Sequence, residues 1–136
     1  MLRRSMLRYS IFRYSALGGL YALLAASALA HHSGAAFDPE LPVEVKGTVA
    51  RVEWTSPHAR LYVESEDDAG ENITWDFELP SPVTLIRRGW SSKALAVGDP
   101  VTVTGIRARE FPTIAIATGV IDASGRRLFS GPGPTE

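Results

Sequence analysis

Hydrophobic and polar residues alternate along much of this chain with the two-residue period of β-strands, beginning at Val43. The apolar positions of the first strand change parity near Ala50, so we expect a β-bulge or a sharp coil there. A second strand is predicted to begin near His58 and to place Leu61 and Val63 on one face. The third strand has the clearest alternation, and one of its faces carries Ile73, Trp75, Phe77 and Leu79.

The break after the third strand predicts one short helix over 83–88. Ser81 is placed to cap its first turn and Pro82 to occupy the first position, while Gly89 suits the left-handed conformation that ends a helix. Later alternation predicts strands from Val101 to a break at Gly105, from Ile114, and over 126–129.

This order of elements predicts a mainly β protein. The order is that of an OB-like barrel with five to six strands: three strands come first, a helix lies between strands three and four, and one or two further strands can follow the fourth. The parity change near Ala50 favours a barrel, because the first strand of a small barrel must bend. A sandwich or an open sheet is the alternative.

The residues before His31 have the pattern of a secretory signal peptide, 1–30. Arginines come first, an uncharged run of 17 residues follows over 14–30, and Ala28-Leu29-Ala30 has the small residues that a signal peptidase recognises. A spanning helix needs roughly 20 residues, so we expect cleavage and no membrane anchor afterwards, with a retained anchor as the alternative. The Arg3-Arg4 pair also fits a twin-arginine signal, which leaves the export route open.

Cleavage after Ala30 would leave 106 of the 136 residues, enough for one small domain. We expect an extended lead-in over 31–42 without regular structure, an OB-like domain over 43–130 and a disordered tail over 131–136. The expected location is the periplasm of a Gram-negative bacterium or the medium outside the cell.

Charge and composition exclude several classes of function. Without the leader the chain has 10 basic and 15 acidic residues, a net charge of −5, which disfavours nucleic acid as a partner. The chain has no cysteine, so it has no disulfide, thiolate metal site or thiol nucleophile. No serine stands in a nucleophile elbow, and we expect a binding protein rather than an enzyme.

The three histidines, His31, His32 and His58, carry the most specific chemistry. After cleavage His31 would bear a free amine, whose pKa of about 8 allows it to bind a metal. That amine, Nδ1 of His31 and the imidazole of His58 would form the three-nitrogen histidine brace of copper proteins, a donor set that favours Cu(II). His32 is a substitute or additional ligand. Alternatively, the paired histidines are a flexible polar start and His58 is a solvent-facing loop residue.

Aromatic and basic residues support a second hypothesis, a metal-free binding module for a small ligand or another envelope protein. Its candidate residues are Trp54, Tyr62, Arg87 and Arg88. The position of the two arginines at the end of a helix is also explained by the helix dipole. Trp75 is expected in the core, and the acidic residues over 64–71 are expected to form a solvated turn rather than a calcium loop.

The chain after the leader resembles a family of small exported bacterial proteins of unknown function, from His31 to about Phe129. The motifs that carry the resemblance are His31-His32-Ser33, Ala36-Phe37-Asp38, Gly47-Thr48-Val49, Val52-Glu53-Trp54, Pro57-His58, Ser81-Pro82, Arg87-Arg88-Gly89-Trp90 and Gly98-Asp99 to Gly105. Asn often precedes Pro-His in such proteins, and Ser56 stands there in this chain. The resemblance implies export and a small barrel, and it implies no assigned activity.

Overall fold

The computed structural model describes residues 36–131, which form six β-strands and one short helix. The elements are β1 (Phe37–Glu53), β2 (Arg60–Glu66), β3 (Asn72–Glu78), α1 (Pro82–Arg87), β4 (Pro100–Ala108), β5 (Ile114–Asp122) and β6 (Arg127–Ser130). The mainly β fold and the helix between strands three and four are confirmed. Residues 1–35 and 132–136 lie outside the described part of the chain, and with them the predicted leader, His31, His32 and most of the predicted tail.

The strands form one sheet in the order β3-β2-β1-β4-β5-β6, with antiparallel neighbours. In addition, β3 pairs in parallel with β5, where Asp76 lies opposite Ile114 and Glu78 opposite Ile116. Each of the first five strands therefore pairs with at least two others. Within residues 36–131, no helix is long and apolar enough to cross a membrane.

The long strand β1 pairs with two partners along different parts of its length. It pairs with β4 as far as Thr48 and with β2 from Thr48 onward, and the register shifts between Val49 and Arg51. The irregularity predicted near Ala50 is therefore confirmed as a β-bulge. At Gly47, a Cβ atom would overlap the carbonyl oxygen of Glu64, so glycine allows β2 to approach β1 closely.

Two predicted boundaries in the sheet are wrong. We expected no regular structure before Val43, but β1 begins at Phe37, which pairs with Ala108 and is only 5% exposed. This pairing joins residues far apart in sequence, so local alternation does not reveal it. Similarly, β4 does not end at the predicted break, Gly105, but continues to Ala108 with a shift in its register against β5.

The ends of α1 follow the prediction. The hydroxyl of Ser81 accepts a hydrogen bond from the Thr84 amide at 3.3 Å. At the other end Gly89 has φ 87°, and the Trp90 amide donates to the Leu85 carbonyl at 3.0 Å, as in a Schellman motif. Trp90 is only 2% exposed, so the helix end is fixed to the core.

The core lies on the inner face of the sheet, and Leu85 of α1 is buried in it. Leu61, Val63 and Phe77 are fully buried on the predicted faces of β2 and β3. Trp75 is partly buried against this core, and its ring stacks on Phe77 with centroids 5.8 Å apart. The alternate residues of β2 and β3 face outward, and this outer face carries the candidate site.

Candidate functional site

His58 lies in the segment between β1 and β2, with 47% of its side chain exposed. Its backbone neighbour Ala59 is held at the end of β3, because the Ala59 amide donates to the Pro80 carbonyl at 3.2 Å and the Leu79 amide donates to the Ala59 carbonyl at 2.9 Å. The bond between Ser56 and Pro57, just before His58, is cis. The backbone beside His58 is thus attached to a strand although its side chain reaches solvent.

The His58 ring turns its Nδ1 atom toward the protein. Nδ1 lies 3.3 Å from the Leu79 carbonyl oxygen and 3.4 Å from Oε1 of Glu78. Both oxygens are acceptors, so these contacts are favourable only when Nδ1 carries a proton. In the neutral ring the lone pair is then on Nε2. Metal-binding histidines usually have this arrangement, with one ring nitrogen donating to a carbonyl or carboxylate and the other bound to the metal.

Glu78 is held in turn by a row of charged side chains on the outer face. Its Oε2 lies 3.7 Å from Nη2 of Arg60, and Nη1 of Arg60 donates to Oδ2 of Asp76 at 2.5 Å. The hydrogen bond to Asp76 raises the pKa of Arg60, so this guanidinium stays charged. Only 12% of the Glu78 side chain is exposed. Glu78 is therefore a mostly buried carboxylate fixed beside the His58 ring.

The described residues do not form a complete metal site by themselves. No group of three His, Cys, Asp or Glu side chains within 36–131 is placed to hold a metal ion. His58 is the one histidine in this part of the chain. The other two suggested nitrogen ligands, the amine and Nδ1 of His31, lie outside it, as does His32, the substitute or additional ligand.

Trp54 and Tyr62 lie on different sides of the sheet. Trp54 packs against the core, where its ring meets Trp90 edge-on with centroids 6.1 Å apart. Tyr62 lies on the outer face, where its hydroxyl donates to Glu53 at 3.3 Å and the Arg51 guanidinium lies 4.0 Å from its ring centre. Burial, followed by the negative charges of nearby carboxylates, raises the pKa of Tyr62. The structure therefore does not bring these two aromatic residues to one surface.

The two candidate arginines lie at the end of α1, Arg87 as its last residue and Arg88 as its C-cap. Arg87 is exposed in the last helical turn. Arg88 extends to β6, where Nη1 donates to the Ser130 carbonyl at 3.3 Å and the guanidinium carbon lies 5.7 Å from the Phe129 ring centre. The four residues suggested for a single ligand face thus have different contacts, with Trp54 packed on the core, Tyr62 beside Arg51 and Glu53, and Arg88 on β6.

Sequence reasoning missed Glu78 as a neighbour of His58. The alternation of β3 placed Glu78 on the outer face, but its proximity to His58 depends on the β2–β3 register, in which Arg60 pairs with Glu78. Counting outward from the turn near Gly70 is the one signal in the sequence that suggests this register.

The chain belongs to a protein family of unknown function, DUF6152, whose sequence profile matches residues 20–116. The matched range contains His58, Glu78 and all of α1. No curated protein and no solved structure matches the chain.

Proposed function

We propose that this chain, after removal of residues 1–30, is an exported protein that binds Cu(II). The ligands are the amine and Nδ1 of His31 together with Nε2 of His58, with His32 as a substitute imidazole. The observation that carries the proposal is the orientation of the His58 ring, whose Nδ1 faces Leu79 and Glu78. Such a protein carries, buffers or delivers copper in the periplasm or outside the cell.

The donor set agrees with copper better than with other metals. One amine and two imidazoles are nitrogen donors, and a tetragonal nitrogen set is typical of Cu(II). The chain has no cysteine, and therefore no thiolate, which would favour Zn²⁺ or Cu(I). The pKa of about 8 of an α-amine allows its deprotonation by copper near neutral pH.

The reach of the N-terminal segment supports the pairing of His31 with His58. The Arg109 amide donates to the Ala36 carbonyl at 2.9 Å, so the chain is attached to the sheet from Ala36 onward. Five residue steps connect Ala36 to His31, and they span at most about 17 Å.

The sheet brings the end of β3 within a comparable span. β1 pairs with β4 at Phe37 and Ala108, β5 follows β4, and β5 pairs with β3 at Ile114 and Asp76. The path from β1 through β4 and β5 to β3 crosses three spacings between neighbouring strands, which add up to about 15 Å. His58 lies beside the end of β3, and the two side chains add reach of their own.

We also propose that the five long strands form an OB-like barrel. The parallel pairing of β3 with β5, the strand order and the position of α1 between β3 and β4 support this architecture. In such a barrel the loop after the first strand borders the usual ligand face, and His58 lies in that loop.

Calorimetric titration with Cu(II) tests the proposed site. The protein is purified after export, and intact mass is used to verify that it begins at His31. We expect one tight site, which His58→Ala weakens because only the two His31 nitrogens remain, and which His32→Ala leaves unchanged.

The matched control is a chain with one additional residue before His31. The addition leaves all three imidazoles in place but moves the free amine away from His31, so tight binding should be lost. Tight binding that survives both this extension and His58→Ala would contradict the proposed ligands.

A further inference from the structure

Two arginine side chains converge on one residue at the end of β6. Nη1 of Arg88 lies 3.3 Å from the carbonyl oxygen of Ser130, and Nη1 of Arg127 lies 3.4 Å from the Ser130 hydroxyl. Arg88 comes from the end of α1, and Arg127 comes from β6 itself. The two guanidinium groups therefore flank the same exposed residue although they are far apart in sequence.

Buried contacts hold the backbone of Arg88 in place. Arg88 directly follows α1 as its C-cap, and Gly89 and Trp90 close the helix in the Schellman motif. The Trp90 ring lies 6.4 Å from the ring of Phe129 on β6, and both residues are buried. The Arg88 guanidinium then rests over the Phe129 ring, so the end of α1 and β6 are fixed relative to each other.

Neither guanidinium is neutralised within residues 36–131. The salt bridges of this region, all within 4.0 Å, do not include Arg88 or Arg127. The adjacent Arg126 is different, because its Nε lies 3.0 Å from Oδ2 of Asp122. Arg87, exposed in the last turn of α1, adds a further positive charge nearby in the chain.

The helix dipole does not account for this arrangement. A cation that serves only to stabilise a helix end lies near the last carbonyl groups of that helix. The Arg88 side chain instead donates to Ser130 on β6. The arrangement concentrates positive charge on the surface of a chain that has 10 basic and 15 acidic residues after position 30, a net charge of −5.

We propose that Arg88 and Arg127 form a binding site for a phosphate group, on a soluble phosphate ester or on a lipid head group. Each arginine can donate two parallel hydrogen bonds to such a group, and the tetrahedral phosphate offers separate oxygens to the two side chains. A phosphate monoester carries a charge of about −1.5 to −2 near pH 7, which matches two guanidinium groups. This site is separate from His58 and does not depend on the copper proposal.

The first test is a titration of the metal-free mature chain with inorganic phosphate at constant ionic strength, followed by NMR. We expect saturable shifts centred on Arg88, Arg127 and Ser130. Arg127→Gln should weaken binding by at least about tenfold, and Arg127→Lys should weaken it less, because lysine keeps the charge but not the paired donors.

Arg109→Gln is the matched control. Arg109 is also an exposed arginine, but its guanidinium lies 2.9 Å from a carboxylate oxygen of Asp38. This variant should bind phosphate as the unaltered chain does. Equal weakening by Arg109→Gln and Arg127→Gln would show an effect of net charge alone and would overturn the site, as would the absence of saturation.

Sedimentation with vesicles distinguishes the two sources of phosphate. Vesicles of phosphatidylcholine with phosphatidic acid are compared with vesicles of phosphatidylcholine alone. Co-sedimentation that requires phosphatidic acid and is lost in Arg127→Gln assigns the site to a lipid head group. Saturation by inorganic phosphate without co-sedimentation assigns it to a soluble phosphate compound. Co-sedimentation that Arg127→Gln leaves unchanged would contradict the site.

Discussion

At the scale of single residues, the two nitrogens of the His58 ring have different surroundings. Nδ1 faces two oxygens of the protein, and the side chain is otherwise half exposed. The backbone of Ala59 attaches this segment to the end of β3. A ring that is fixed on one edge loses less conformational entropy when its other edge binds a metal.

Glu78→Gln tests whether the carboxylate beside His58 supports metal binding. The amide cannot supply the negative charge that stabilises the Nδ1–H group, although the Leu79 carbonyl remains. Loss of such a supporting group typically lowers metal affinity about 10- to 100-fold. We expect a decrease in this range in a competition titration with Cu(II).

Glu64→Gln is the control for this variant, because Glu64 is an exposed carboxylate on the neighbouring strand. The ¹⁵N chemical shifts of the metal-free His58 ring give a second measurement, and they should show the Nδ1-protonated form in the unaltered chain. Unchanged copper affinity in Glu78→Gln would mean that Glu78 does not support the site.

Asp122 provides a prediction about acid stability. Its carboxylate accepts hydrogen bonds from the Ser124 hydroxyl and from Arg126, and these lower its pKa to about 2. In the unfolded chain an aspartate has a pKa of about 3.9. The stabilisation from this group is therefore present above about pH 4 and is lost as the pH falls toward 2.

The free energy of unfolding of the unaltered chain should fall between about pH 4 and pH 2, and in Asp122→Asn it should fall less. Denaturant titrations at several pH values measure this difference. Asp68→Asn serves as the comparison, since the Asp68 side chain makes no hydrogen bond within 36–131. An identical pH dependence in the Asp122 variant and the unaltered chain would contradict this account.

At the scale of elements, β1 determines how the sheet is assembled. It is shared between β4 and β2, and the change of partner occurs at Thr48, next to Gly47 and the bulge. The absence of a side chain at Gly47 allows the β2 backbone to lie against it.

Gly47→Ala should destabilise the fold by at least about 2 kcal/mol, because the added methyl group overlaps the Glu64 carbonyl and the side chain of Val63. Chemical denaturation measures this change. Gly70→Ala is a useful comparison, since Gly70 has φ 80° but open space around it, and it should cost about 1 kcal/mol from backbone strain alone. If Gly47→Ala lowered the free energy of unfolding less than Gly70→Ala does, the close approach of β2 to β1 at Gly47 would not be needed for stability.

The elements that could be predicted are those with local determinants. The caps of α1 are given by Ser81, Pro82 and Gly89, and the faces of β2 and β3 follow from alternation. The start of β1 could not be predicted, because Phe37 is ordered by Ala108. The candidate site has the same limit. The sequence indicates His58 as a candidate ligand, but the contact of His58 with Glu78 could not be predicted because it depends on the register between β2 and β3.

At the scale of the whole molecule, the contact between β3 and β5 joins the two ends of the five-strand arrangement. The Asp76 amide donates to the Thr113 carbonyl at 2.9 Å, just before the parallel pairing begins. This contact also places the start of β5 beside the end of β3, the strand whose end holds the backbone next to His58.

Amide hydrogen exchange tests this joining of β3 and β5. The Asp76 amide should exchange about as slowly as amides in the β2–β3 ladder, because both would open only when the sheet unfolds. The Ala69 amide, bonded to an Asp67 side chain in an exposed turn, should exchange much faster. Exchange of Asp76 as fast as that of Ala69 would show that β3 and β5 are not joined in solution.

Electron paramagnetic resonance of the mature chain with one equivalent of Cu(II) tests the central claim most directly. The chain must be confirmed by mass to begin at His31. We predict a tetragonal Cu(II) signal with hyperfine structure from three nitrogens, and loss of one of these couplings in His58→Ala. A spectrum that is the same in the unaltered chain and in His58→Ala, or that shows only free Cu(II), would contradict the claim that His31 and His58 hold copper together.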